Sequence, residues 1–315
     1  MKVLVIGREG QLARSLVDAA DALDIQVVPV GRQEIDLVDQ KSVAAAVARE
    51  HPDAVVNAAA YTAVDRAEAE PMLAMRINAL GAECVARACS AHSIPIIHIS
   101  SDYVFDGMKG SPYNEDDAVG PINAYGRSKL EGEQRVAKAC GRHLILRTAW
   151  LHSPWGANFV KTMLRLAADR PAIGVVDDQR GSPTYAPHLA AIALTLATRA
   201  ATGPDSTRWG IYHAAGGGEA TWFGLAREVF RCAAACGLPA AEVAAIATAD
   251  YPTAARRPAD TRLNCDKLRL TFGLELPDWR LGVQACVARL SGSGDRAVTV
   301  DSCRIGTLGA ASRPR

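Results

Sequence analysis

The chain is predicted to be an α/β protein, a Rossmann-type doubly wound parallel sheet with a smaller C-terminal substrate-binding lobe. Three observations carry that expectation. Short runs of Val, Ile and Leu alternate with longer Ala-rich segments through the first half, the pattern of strands joined by crossover helices. Those runs lack polar alternation, as strands covered on both faces do. The first of them ends in a glycine turn that opens a helix, the layout of a dinucleotide-binding unit.

In chain order the expected strands are 2–6, 26–30, 54–57, 95–99 and 143–147, with helices at 10–22, 40–50 and 71–92 supplying right-handed crossovers. After Trp150 the regularity weakens: helical patterns at 157–169, 187–199, 222–236 and 278–290 are separated by loops rich in Gly, Pro and Thr. The expected organisation is a dinucleotide-binding domain over 1–150 with segments returning from the second half, and a nucleotide-sugar-binding lobe over 151–290. Residues 291–315, beginning Ser-Gly-Ser-Gly, carry little apolar periodicity and are expected to form an unpacked tail.

Composition excludes several function classes. Of 315 residues 49% are hydrophobic, enough for a large core plus a smaller one. Lys and Arg number 35 against 34 Asp and Glu, so no basic field exists to hold a nucleic acid. The apolar run 2–6 is too short for a signal segment or a bilayer span; a cytoplasmic protein without membrane contact is expected. Eight cysteines show no C-x-x-C pair and read as reduced, mainly buried side chains. No His/Asp/Glu cluster has ligand spacing, so no metal is expected.

The turn Gly7-x-x-Gly10-x-x-Ala13 lets backbone approach a pyrophosphate, and the helix behind it presents unpaired N–H groups. Alanine at the third position still permits close helix–strand packing. The second strand ends at Val30-Gly31-Arg32, where an arginine accommodates a 2′-phosphate and an acid would bind the ribose hydroxyl. Arg32 with no acid on the tip favours NADPH, with NADH as the alternative; an ordinary surface cation is the competing reading. Asp36 is placed to meet the adenine amino group and Leu37 its ring. The loop Ala58-Ala59-Ala60-Tyr61 offers a narrow surface for the nicotinamide ribose.

Chemistry is expected from Ser101, Tyr125 and Lys129. Tyr125 and Lys129 stand four apart on a helix and so share a face. A cation beside a phenol favours the phenolate and draws its pKa down from about 10. Ser101, at the sheet's C-terminal edge, is placed to hydrogen-bond the same substrate oxygen. A lone Y-x-x-x-K is common on solvated helices; its conjunction with Ser101 and the glycine turn, in order, points to a reductase.

Over residues 1 to about 290 the chain resembles the dTDP-4-dehydrorhamnose reductases, extended short-chain dehydrogenases. The blocks that carry the resemblance include Gly7-Arg8-Glu9-Gly10-Gln11-Leu12, Val56-Asn57-Ala58-Ala59-Ala60-Tyr61-Thr62-Ala63-Val64-Asp65, and Ile99-Ser100-Ser101-Asp102-Tyr103-Val104-Phe105. Further on come Asn123-x-Tyr125-Gly126-x-Ser128-Lys129, Arg147-Thr148-Ala149-Trp150, Asn158-Phe159-Val160, Asp178-Gln179-x-Gly181-Ser182-Pro183 and Arg256-Arg257-Pro258. Ser101 stands where many members have threonine, which keeps the hydroxyl.

The resemblance implies reduction of the carbon-4 ketone of dTDP-4-dehydro-6-deoxy-L-mannose to dTDP-L-rhamnose. It implies that Tyr125 donates the proton, that Lys129 holds the ribose and that Ser101 binds the oxygen. Gly7, Gly10, Gln11, Leu12, Ala59, Ala60 and Tyr61 are then cofactor contacts. Val64, Asp102, Tyr103 and Trp150 fall at substrate positions, with core packing the alternative for Trp150, and Asn158, Gln179 and Arg257 at the thymidine diphosphate. The partner is a nucleotide sugar; a homodimer is left open. Two other readings stand: a related nucleotide-sugar 4-ketoreductase or epimerase, and a non-catalytic subunit like the regulatory subunit of methionine adenosyltransferase, against which the retained Ser101, Tyr125 and Lys129 argue.

Overall fold

The computed structural model describes residues 1–203 and 208–293; the expected tail lies, from residue 294 onward, outside the described residues. Five strands match the apolar runs: β1 (Lys2–Ile6), β2 (Gln26–Val30), β3 (Ala54–Asn57), β4 (Ile96–Ser101) and β5 (His143–Thr148). They form a wholly parallel sheet in the order β2, β1, β3, β4, β5, with Gly210–His213 as a sixth strand beside β5. That sixth strand was not expected from sequence. It is four residues long and begins on a glycine at φ +131°. The order reverses between β1 and β3, so their carboxyl ends open the crevice where ligands of such sheets bind.

Alternate burial of Leu12, Ala13, Leu16 and Ala19 fixes the helix Gln11–Ala20 on the sheet. The helix Ala186–Thr202 is buried almost all round and packs beside it. Its many alanines allow the close approach, and it returns to the first core from the second half of the chain. A second core gathers Val160, Met163, Ile173, Val229, Phe230, Trp279 and Val283. Into it leads a parallel pair, Ala172–Val176 with Glu242–Ile246, which sequence reading missed because alanine and glycine blur the strand signal.

The long helix expected over 71–92 is broken into Pro71–Met75, a π-turn over Arg76–Gly81, and Ala82–Ala91. The break serves the buried Asn78. Its side chain accepts from the Tyr61 N–H at 2.7 Å and donates to the Tyr61 carbonyl at 3.1 Å and to the Ser128 hydroxyl at 2.8 Å. π-turns of this kind are frequent where a site needs a backbone group displaced. The Asn78 carbonyl faces Gly132 of the helix Ala124–Ala139, leaving no room for a Cβ there. The same helix meets the Tyr103 carbonyl at Gly126, again too closely for any side chain.

Beneath that helix lies a fully buried ion pair. Arg147 of β5 donates to both Glu133 oxygens, at 2.9 and 2.8 Å, while the Ser100 hydroxyl donates to the same carboxylate at 2.5 Å. The guanidinium also covers the Phe105 ring at 5.0 Å. Removing one member of such a pair strands the other charge, so its effect is mainly to hold the helix in one register.

The seven described cysteines are free thiols. Among the described residues no helix is long and apolar enough to cross a membrane, and no group of three or more His, Cys, Asp or Glu is placed to hold a metal ion.

Gly132→Ala is expected to lower stability by about 1–3 kcal/mol, the usual cost of overpacking, because the Asn78 carbonyl is backbone and cannot swing away. Chemical denaturation of variant and parent checks this; an unchanged midpoint and slope contradict the docking described.

Candidate active site

The carboxyl ends of β1, β3, β4 and β5 lie along one edge of the parallel sheet. Gly7 follows β1 with φ +125°, a conformation that side chains resist, and its N–H donates to the Val30 carbonyl at 2.8 Å. Gly10 precedes the helix Gln11–Ala20 with an ordinary φ of −69° and caps it with no side chain. A Cβ at Gly10 would meet nothing within 4 Å, so packing does not require glycine there. What its absence does is leave the first-turn N–H groups open, which suits a pyrophosphate. The residues present therefore fit a dinucleotide.

Other expected cofactor residues are placed unevenly. Leu12 is a core side chain, so only its backbone faces the turn. The Gln11 carboxamide accepts from Ser153 and Asn158, both at 2.9 Å. Ala59 and Ala60 line the loop after β3, half-buried, with the Ala59 N–H on the Asn57 side chain at 3.3 Å. The Tyr61 phenol is taken by Glu70 at 2.6 Å, and its backbone N–H and carbonyl are both bonded to the Asn78 side chain. Arg32 is exposed and makes no ion pair or hydrogen bond among the described residues. Asp36 is exposed and accepts from the Val38 N–H at 3.1 Å, while Leu37 packs on the glycine backbone at Gly81.

Ser101, Tyr125 and Lys129 do come together. Ser101 ends β4, buried, with its hydroxyl beside the Tyr125 phenol. Burial pushes the Tyr125 phenol up to about 12; the Ser101 hydroxyl opposes this and the Asp102 charge adds to it. The Lys129 ammonium donates to the Ile99 carbonyl at 2.6 Å, and burial lowers it to about 8 against the raising charge of Glu133. Tyr125 is thus a neutral phenol at neutral pH, the protonation state of a general acid.

Asp102 is buried with both oxygens engaged: the Ser101 hydroxyl donates at 3.0 Å and the Thr261 hydroxyl at 2.6 Å. Burial raises its carboxyl to about 6 despite those bonds. Tyr103 lies edge-on to Tyr125 with ring centres 5.8 Å apart, and burial raises its phenol.

Around these sit the expected substrate residues. Trp150 adopts φ +45° and stacks on Trp222 at 3.5 Å and 6°, directly over Gly181, where no side chain would fit. Gln179 accepts from the Trp222 indole at 3.2 Å and donates to Thr248 at 3.0 Å. Val64 opens the helix Val64–Ala69, half-buried. Arg257 donates to Asp65 at 2.8 Å and leaves its buried Nη1 without a partner. Asn158 is spent on capping the helix Phe159–Ala167 and on the Ser153 and Trp155 carbonyls, which leaves it no free donor for a diphosphate. Sequence reading missed Asn78, Thr261 and Trp222. A tryptophan in the first turn after a threonine cap was the one local signal for Trp222.

A parallel six-stranded sheet with a glycine turn at its crevice, and a serine–tyrosine–lysine set at the ends of β4 and the next helix, define a Rossmann-fold oxidoreductase of the short-chain dehydrogenase type. The family model described as "RmlD substrate binding domain" matches residues 1–291, and the chain belongs to that family. It is 45% identical over 279 residues to a dTDP-4-dehydrorhamnose reductase of Sinorhizobium fredii, covering 89% of this chain and 94% of that one. To the protein of the same name from Salmonella typhimurium it is 40% identical over 298 residues, covering 92% and 98%. Among solved structures, the Bacillus anthracis dTDP-4-dehydrorhamnose reductase in complex with NADP superposes with a TM-score of 0.85 at 34% identity, covering 91% of this chain and 99% of that one.

The raised Asp102 has a measurable sign. An acid raised from 3.8 to about 6 binds its proton first in the folded protein. Its contribution to stability is therefore full below about pH 4 and falls as pH rises to about 6. The stability of the parent minus that of Asp102→Asn should fall across this window by on the order of 2–3 kcal/mol and stay level above pH 7. Denaturant titrations at several pH values check it; a flat difference contradicts the buried carboxyl.

Proposed function

We propose that this chain reduces the carbon-4 ketone of dTDP-4-dehydro-6-deoxy-L-mannose to dTDP-L-rhamnose, with NADPH as donor and NADH as an alternative, in the biosynthesis of dTDP-rhamnose. The observation that carries the reading is the neutral Tyr125 phenol beside Ser101 at the end of β4, in a chain 45% identical to a reductase of that name. The nicotinamide, when bound, supplies the hydride. The chain supplies everything else.

In this reading Tyr125 delivers its proton to the oxygen that gains charge, and the Ser101 hydroxyl turns its one proton from Asp102 to donate a second hydrogen bond to it. Thr261 holds the Asp102 carboxyl in place. Lys129, pinned by the Ile99 carbonyl, keeps two further donors for ribose hydroxyls. Gly7, Gly10 and the N–H groups of Gln11 and Leu12 take the pyrophosphate, Ala59, Ala60 and the Tyr61 backbone border the nicotinamide ribose, and Asp36 with Leu37 meets the adenine. Trp150, Tyr103 and Val64 border the sugar, and Gln179 with Arg257 meets the thymidine diphosphate. The partner is thus a nucleotide sugar, and the near-neutral charge offers nothing to a nucleic acid. A cytoplasmic place and a homodimer belong to the same reading.

The test is oxidation of NADPH with dTDP-4-dehydro-6-deoxy-L-mannose. Tyr125→Phe should keep cofactor binding while kcat falls at least ~10²-fold, as for loss of a general acid. Lys129→Met should lower kcat and also raise the cofactor KM. Near-parental turnover in folded Tyr125→Phe contradicts the assignment, and no oxidation by the parent with this sugar contradicts the substrate.

A further inference from the structure

Sequence reading found no acid on the tip of β2; the folded chain puts one there. The Gly31 carbonyl accepts the N–H groups of Glu34 and Ile35, each at 3.0 Å, and this turn folds Glu34 back onto the strand end. Its Oε2 accepts from the Gly31 N–H at 2.8 Å, and its Oε1 lies 2.5 Å from Nη2 of Arg8. The same Arg8 nitrogen donates to the Pro29 carbonyl at 2.8 Å. Gly31 keeps the three groups together: a Cβ on it would lie 3.1 Å from the Arg8 Cβ and 3.4 Å from the Glu34 carboxylate. Arg32, next to Gly31 in the chain, is exposed.

The end of the second strand is where a Rossmann sheet meets the 2′-position of the adenosine ribose. Here that place holds the Glu34 carboxylate and the Arg8 guanidinium, with Arg32 next in the chain. We propose that Glu34 sets the coenzyme preference. Resting on the cofactor reading above, the assignment is that Glu34 serves as acceptor for a ribose 2′-hydroxyl and opposes a 2′-phosphate. It does so by like-charge repulsion and by holding Arg8, so that Arg8 and Arg32 attract the phosphate less than two free arginines would. The preference for NADPH over NADH is thereby narrowed, and the acid, three residues past the glycine, decides by how much.

The adenosine fragments test this without catalysis. Dissociation constants of adenosine 2′,5′-bisphosphate and of 5′-AMP are measured by calorimetry on the full chain and on Glu34→Gln, Arg8→Ala and Arg32→Ala. Glu34 is exposed and Gln has the same shape, so the fold should persist; an unchanged melting temperature checks it. Glu34→Gln should tighten the bisphosphate about fivefold to tenfold, the scale of one removed like charge near the surface, and weaken 5′-AMP. Arg8→Ala and Arg32→Ala should each weaken the bisphosphate and leave 5′-AMP nearly unchanged. If the ratio of the two constants is the same in Glu34→Gln as in the parent, Glu34 does not discriminate and the proposal falls while the cofactor site stands. If neither fragment binds the parent, the cofactor reading falls and this proposal with it.

Discussion

The site depends on one helix, Ala124–Ala139, lying against two carbonyl oxygens with no side chain between. Gly126 meets the Tyr103 carbonyl and Gly132 that of Asn78. The first contact brings the helix closer to the turn after β4, and the second closer to the π-turn, than any residue with a Cβ would allow, and Tyr125 and Lys129 come with it. The π-turn over Arg76–Gly81 exists to present one of those carbonyls, and the Asn78 side chain then ties the loop after β3 to Ser128 on the same helix. Below, the buried Glu133–Arg147 pair fixes rotation about the helix axis. Substrate-side and cofactor-side loops thus take their positions from one packed element.

Once the helix is seated, burial governs the chemistry. It raises the Tyr125 phenol to about 12, raises the Asp102 carboxyl to about 6 and lowers the Lys129 ammonium to about 8. Each shift disfavours charge, and together they leave at neutral pH a phenol that holds its proton beside a hydroxyl that can share it. A reduction needs that state, because the oxygen that accepts hydride must also be protonated. The lysine expected to act on the phenol by charge is instead held by the Ile99 carbonyl, where it braces the helix and keeps donors for a ribose.

Four of the first five strands were legible because they are buried on both faces and so rich in Val, Ile and Leu; β2, half-buried at the sheet edge, was legible from its run of valines alone. Ser101, Tyr125 and Lys129 were legible because helix spacing and strand ends are local properties. The strands Ala172–Val176, Gly210–His213 and Glu242–Ile246 were not, since alanine and glycine carry no clear period and the pairing partners lie far along the chain. Neither Asn78, whose side chain acts through contacts with residues 61 and 128, nor Thr261, which meets Asp102 across 159 positions, shows any local pattern. Glu34 was visible as a charge but not as part of the strand tip, because only the turn on Gly31 brings it back. Asn158 shows the opposite case: a polar residue in a matching motif whose side-chain hydrogen bonds the fold already uses.

The central claim is that this cleft delivers hydride to one carbon and a proton to the oxygen on it. NADPH carrying deuterium at the transferred position of the nicotinamide, incubated with the chain and dTDP-4-dehydro-6-deoxy-L-mannose, tests it directly by NMR of the sugar product. The account predicts one deuterium per NADPH consumed, located on carbon 4 of dTDP-L-rhamnose. Deuterium at another carbon, or a product with the other configuration at carbon 4, would contradict it.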